Sequence, residues 1–251
     1  MRLPMGSWPL LVTLASAVPA AAATFSLTPT DDAFVWSRTA GGEADLNFGS
    51  DPQLLAWANF SVSDPYAARS YLRFDLSGLP AGEVVTGATL TLFQFNGGGF
   101  NAGIDVHRVA DDTWHEGTIT WNNRPLPFPD ASNRIAQNAS LDGFARGAVS
   151  FDLLADGVWD PSLDVADGAL SLLVKVIGND VGTQRVHNFC SKDAGSSDCL
   201  LAGEAGPVTG RGPVLTITTA VPEPSSALLI ATGAALIAAA RRRPRPAPRL
   251  R

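Results

Sequence analysis

The sequence predicts an all-β protein, a jelly-roll β-sandwich of antiparallel strands, and three observations predict it. Short runs rich in β-branched and aromatic residues recur along the whole middle of the chain. Several of them alternate apolar and polar residues with period two. Glycine- and proline-rich links separate them, and no long 3.6-residue periodicity interrupts the series. Many short strands with such links argue for a sandwich, and at this strand count the usual form is a jelly roll.

Taken in order, the strands are expected at 33–36 (AFVW), 53–60 (QLLAWANF), 70–76 (SYLRFDL) and 87–95 (GATLTLFQF). Further strands follow at 103–109 (GIDVHRV), 118–121 (TITW), 149–153 (VSFDL), 170–177 (LSLLVKVI), 184–189 (QRVHNF) and 214–218 (VLTIT). In 70–76, Leu72, Phe74 and Leu76 share one face, and Tyr71, Arg73 and Asp75 share the other. Leu172, Val174 and Val176 line up in the same way, opposite Ser171 and Lys175. The glycine turn at 95–101 reads as a hairpin between its flanking runs. Only 153–159 offers a short helical turn.

The two ends differ from the middle. Arg2, the apolar run 10–18 and Ala21-Ala22-Ala23 form a secretory signal peptide over residues 1–23, with cleavage expected before Thr24. The run is too short to span a bilayer. At the other end, residues 220–251 place Pro222-Glu223-Pro224, an uncharged apolar stretch at 225–240 and Arg241-Arg242-Arg243 in that order. The stretch is near the lower limit for a transmembrane helix. The arginines fix its orientation with the preceding domain outside the cytoplasm.

Between these ends, the domain at 24–219 is acidic. Residues 24–222 hold 11 basic and 23 acidic side chains, a formal charge near −12 against −6 for the whole chain. Nucleic acid is excluded as a partner, since there is no basic footprint. The even cysteine count in an exported chain points to a disulfide between Cys190 and Cys199. A zinc site lacks the spacing it needs, and His107, His115 and His187 form no metal-binding motif.

One stretch, "DDTWHEGTITWNNRP" at 111–125, fits no plain strand. Ile119 and Trp121 point one way, which makes Trp121 a core residue, whereas Trp114 lies in a polar loop. Asp111, Asp112 and Glu116 are the candidate acids for glycoside chemistry, which needs two carboxylates facing each other across the bond. All three sit in one loop, so they are expected to be solvated loop acids and the domain no enzyme.

Set together, "DDAFVW", "NFGSDPQLL", "YLRFDLSGLPAG", "WHEGTITWNNRP" and "NFCSKDAG" through "GPVLTIT" resemble the DNRLRE-type domain, also called carbohydrate-binding module family 96, over about 31–218. The tail resembles the PEP-CTERM sorting domain. The first resemblance implies a jelly roll that binds acidic or cell-surface polysaccharide. The second implies processing by an exosortase-type membrane enzyme, transient membrane anchoring, and delivery to the cell surface or extracellular matrix of a Gram-negative bacterium. The combination makes the chain a non-catalytic, surface-sorted carbohydrate-binding protein. A structural matrix or adhesion protein that binds protein partners is the alternative, and a polysaccharide lyase or hydrolase is a weaker one.

Two surfaces compete for the glycan. One is the polar face of the central strands with Arg69, Tyr71 and Arg73. The other is the loop rim with Trp114, His115, Asn122 and Arg124. Arginine suits carboxylates of uronic acids, and aromatic rings suit sugar faces. Arg73 has a rival role in a cross-strand salt bridge with an acid such as Asp75. Finally, Asp45, Asn47 and Asp51 surround Gly49 in an oxygen-rich loop. They form a possible structural calcium (Ca2+) site to which Asp31 and Asp32 could add ligands, although a plain Asx turn explains the same residues.

Overall fold

Every strand in the computed structural model, which describes residues 22–59, 66–98, 103–126, 129–177, 185–204 and 208–222, is paired antiparallel. The described strands are β1 (Ala22–Leu27), β2 (Asp31–Trp36), β3 (Gln53–Asn59), β4 (Tyr66–Asp75), β5 (Val84–Gly98) and β6 (Ile104–Val109). They continue with β7 (Arg134–Asn138), β8 (Gly147–Asp152), β9 (Ala169–Val176), β10 (Arg185–Cys190) and β11 (Val214–Ala220). One short helix, α1, spans Pro161–Asp167.

The strands run in the order β1-β11-β5-β10-β3-β4-β9-β6-β7, with β2 added to β4 and β8 added to β5. Two long strands make this curl possible. On β5, the first part pairs with β11 and the last part with β10 along one edge, while β8 takes the other edge. On β4, residues 66–68 pair with β3 and 70–75 with β9 along one edge, while β2 covers the opposite edge. The result is a curled antiparallel sheet. Its concave side holds the main core, including Leu54, Leu72, Phe74, Leu90, Leu92, Leu172 and Phe189.

Alternation on β4 is as the sequence dictates. Leu72 and Phe74 enter the main core, and Tyr71 enters a second cluster with Ala33, Val35, Val109, Trp114, Ile119 and Leu173 on the other face. That second cluster explains β9. Ser171 and Lys175, which the alternation sets opposite Leu172, Val174 and Val176, are buried too, and Trp114, which follows β6, bonds Ser171 and packs in the cluster that holds Leu173.

Four local expectations are corrected. Residues 118–121 are turn rather than strand, because the amides of Thr118 and Ile119 both donate to the His115 carbonyl. The runs flanking 95–101 do not form a hairpin: the end of β5 pairs with β10, and β6 pairs with β7 and β9. Gly97 has a φ of 151°, and a Cβ there would collide with the Val186 carbonyl of β10. The helix lies at 161–167 instead of 153–159. Asp160 caps it by accepting from the Ser162 amide at 3.0 Å, Pro161 opens it and left-handed Gly168 closes it. Finally, β1 and β7 are additional strands. Ala22 and Ala23, read as the end of the leader, pair with Ala220 and Thr219.

Cys190 and Cys199 form the disulfide, with Cα atoms 5.8 Å apart. Closing so short a loop contributes about 2–3 kcal/mol by restricting the unfolded chain. Among the described residues no helix is long and apolar enough to cross a membrane. The expected leader core and the tail elements Glu223, Pro224 and Arg241 to Arg243 lie outside the described residues, while Pro222 is described and exposed.

Candidate functional site

The unusual stretch after β6 is a strap. It runs from Ala110 across the face of β2, β4 and β9 and is pinned at several points. Trp114 turns inward, donates its indole N–H to Ser171 Oγ at 3.0 Å, and meets Tyr71 edge-on at 5.9 Å between ring centres. Tyr71 donates its hydroxyl to the Pro125 carbonyl at 2.9 Å. Ile119 fills the second core cluster beside them.

Charged groups complete the pinning. Arg73 pairs with Asp31, its direct cross-strand neighbour on β2, through both Nε and Nη2, and donates Nη1 to the Asp112 carbonyl at 3.1 Å. Asp31 also accepts from the Glu116 amide at 3.1 Å. Asp75, the partner expected for Arg73, instead accepts from the Ser77 amide in a turn. Glu116 accepts from the Asp32 amide at 3.0 Å and forms an ion pair with Lys192 at 2.8 Å. Lys192 also pairs with Asp193 at 2.8 Å.

The expected calcium loop serves the same strap. Asn47 donates to the carbonyls of Glu116 and Ile119, and a Cβ on Gly49 would overlap the Glu116 carbonyl. Asp45 accepts from the Asn122 amide group at 2.6 Å, and Asp51 accepts from the Gln53 amide at 3.0 Å. The three side chains make three different contacts, the Asx-turn role among them.

Acidic side chains converge elsewhere. Asp32, Glu116 and Asp193 form one group, and Asp112, Asp164 and Asp167 form another. In both, the protein supplies a cation. Lys192 binds Glu116 and Asp193 in the first. In the second, Arg108 grips fully buried Asp164 through Nε and Nη2, with the Trp159 indole N–H as a further donor at 2.7 Å. The three histidines are dispersed: His187 bonds Gln94, His107 bonds Asn133, and His115 sits exposed beside Asp31.

The six residues expected at a glycan site therefore separate. Tyr71 is fully buried, and Trp114 and Arg69 are each only 7% exposed, so the first two pack and pin the strap rather than present a surface. Arg73 is a strand-to-strand ion-pair partner. Asn122 and Arg124 remain at the rim, where the Arg124 guanidinium lies 3.6 Å from the Trp121 ring centre and that of Arg69 lies 4.9 Å from it.

Residues 23–141 match the family model for carbohydrate-binding module family 96, and residues 220–243 match the PEP-CTERM protein-sorting motif. The chain thus resembles a family 96 carbohydrate-binding module over 23–141, followed by a PEP-CTERM sorting motif. A gellan lyase from Bacillus sp is 31% identical over 114 residues, which are 45% of this chain and 4% of that protein. The chain thus spans a small fraction of that relative, and the matched family segment contains β2 to β7 and the whole strap.

Within the module, Asp31 and Asp32 respond to pH in opposite senses. Burial raises the Asp31 pKa but is outweighed by its bonds to Arg73 and the Glu116 amide, so the carboxyl is held below its ordinary value. Burial pushes Asp32 up to about 6, against the opposing hydrogen bonds from Lys192 and Ser191. A carboxyl raised on folding contributes stability that is full below its unfolded pKa and is lost as pH rises through the folded one.

Two outcomes follow for the module. Arg73→Ala is expected to lower stability by about 1–3 kcal/mol, since it strands the Asp31 carboxylate; urea unfolding that shows no loss would make the pair ornamental. Wild type is also expected to exceed Asp32→Asn in stability by more at pH about 4 than at pH about 7. A difference that stays constant or grows with pH, read from thermal unfolding across that range, would contradict the raised Asp32 pKa.

Proposed function

We propose that the protein is a non-catalytic, exported polysaccharide-binding protein, held at the cell surface or in its matrix after an exosortase-type enzyme has processed its tail. The observation that carries this reading is the family 96 match over 23–141, which takes in β2 to β7 and the strap. The curled sheet is best read as the jelly-roll sandwich that the sequence predicts. The signal peptide, the marginal apolar stretch at 225–240 and the arginines that follow supply export, a temporary stop in the membrane and orientation in a Gram-negative envelope.

The fate of the loop acids supports binding over catalysis. Asp111 is bonded to the amide and hydroxyl of Thr113, and Glu116 holds Lys192 and the Asp32 amide. A general acid needs a position poised at a scissile bond, not one spent on a strap. The gellan lyase shares a segment that is 4% of its own length, which fits a binding appendage shared between otherwise different proteins.

The test is co-sedimentation of the purified protein with insoluble and gelled polysaccharides, gellan among them, alongside assays for new reducing ends and unsaturated products. Retention on at least one polymer without product is expected. Accumulating product would make the protein a lyase or hydrolase. Failure to bind any polymer would favour a matrix spacer with protein partners.

A further inference from the structure

A second surface lies away from the strap, where β2 and β3 flank the start of β4. The register places Trp36 of β2 and Trp57 of β3 on either side of Ala68 of β4. The small Ala68 side chain leaves a gap, and the two indoles close over it with ring centres 5.5 Å apart. Tyr66, two residues earlier on the same face of β4, stands 5.6 Å from Trp36 and 5.4 Å from Trp57. Beneath them Phe34, Leu55 and Ala68 are buried, and Phe34 stacks on Phe48 at 4.5 Å. The base is therefore packed while the three upper rings stay partly exposed.

Ordinary packing leaves two features of this cluster unexplained. The indole N–H groups of Trp36 and Trp57 have no acceptor among the described residues, although both nitrogens are shielded from solvent. A shielded, unpaired donor costs free energy, and such groups in native proteins call for an explanation. Exposed aromatic area grouped in one place also marks an interaction surface more often than scattered apolar residues do. A ligand with an apolar face answers the second: that face covers the exposed parts of the rings while its polar groups stay in water.

We propose that Trp36, Trp57 and Tyr66 form a docking face for uncharged pyranose residues of a neutral polysaccharide. This inference rests on the carbohydrate-binding reading above and assigns that binding to a place and a sugar class. All three residues lie inside the family-matched segment. A pyranose ring presents C–H groups on its faces, which the exposed parts of these rings complement, and hydroxyls at its rim, which stay hydrated.

The charge balance selects the uncharged class. Arg38 stands 5.6 Å over the Tyr66 ring and is already paired with Glu43 at 3.4 Å. Arg73, Arg108, Arg134, Arg211 and Lys192 are paired with carboxylates as well. A domain near −12 overall repels a polyanion at long range, and the cation seen against these rings among the described residues, Arg38, is already compensated. The packed base also means that little side-chain freedom remains to be lost on binding.

Affinity electrophoresis of the purified protein tests this, with neutral polymers (a β-glucan, a mannan and a galactan) and acidic ones (alginate and polygalacturonate). Retardation by a neutral polymer is expected. It should persist from about 0.02 to 0.5 M salt, a range over which the screening length shortens several-fold. Trp57→Ala and Tyr66→Ala should weaken it by roughly tenfold or more, equivalent to about 1.4 kcal/mol. Trp57→Phe, which keeps an aromatic ring, should retain most of it, and this variant guards against misfolding of the alanine forms. Retardation only by acidic polymers, lost in high salt and in Arg124→Ala, would overturn the aromatic face while leaving carbohydrate binding intact. Unchanged binding by folded Trp57→Ala would overturn it equally. Retardation by no polymer would remove the carbohydrate-binding reading and this inference with it.

Discussion

Two consecutive carboxylates at the start of β2, Asp31 and Asp32, hold the loops of this protein to its sheet. A strand sends neighbouring side chains to opposite faces, and here each face needs an anchor. Asp31 turns to the strap, pairing with Arg73 and accepting the Glu116 amide. Asp32 turns to the segment after β10, where it accepts the Ser191 hydroxyl at 2.8 Å and the Lys192 amide at 2.7 Å. Glu116 links the two systems by binding both the Asp32 amide and the Lys192 ammonium. The Cys190–Cys199 disulfide then fixes the second segment at the end of β10. Without this junction the strap would have no charged anchor, and Trp114, Ile119 and Leu173 would lose the cover that makes them a core.

This arrangement accounts for the separation of charge from binding. Most basic side chains described above are committed to carboxylates inside the fold, so the acidic character of the module reaches its surface with little local relief. Surface ion pairs contribute modestly, and the more buried ones serve to position segments rather than to add net stability. In the proposed role, aromatic rings set on a packed base are placed to hold a polymer.

Much of the fold was legible because period-two alternation is a local property. Leu72, Phe74 and Tyr71 went to the faces their positions dictate, and the cysteine pair followed from the compartment. Partners distant in sequence were not legible. The turn at 118–121 looks like a strand because Thr, Ile, Thr and Trp favour one, but Asn47, some 70 residues earlier, and the His115 carbonyl impose a turn. Arg73 was recognised as either ligand contact or ion-pair partner, and its cross-strand register with Asp31 decided for the latter. Tyr71 and Trp114 carried the right chemistry for sugar contact in the wrong exposure. The cluster of Trp36, Trp57 and Tyr66 escaped notice because two of its members sit in separate strand runs. Only the register across Ala68 brings the three together.

The central claim is that the strap is architecture and the aromatic face is where sugar docks. It is tested most directly by the indole N–H resonances of the tryptophans in ¹⁵N-labelled protein, assigned through single Trp→Phe variants. Titration with a neutral oligosaccharide that the protein binds is predicted to shift the signals of Trp36 and Trp57 while those of Trp114 and Trp121 stay in place. Shifts at Trp114 and Trp121 with Trp36 and Trp57 unmoved would contradict the account and return the binding site to the strap.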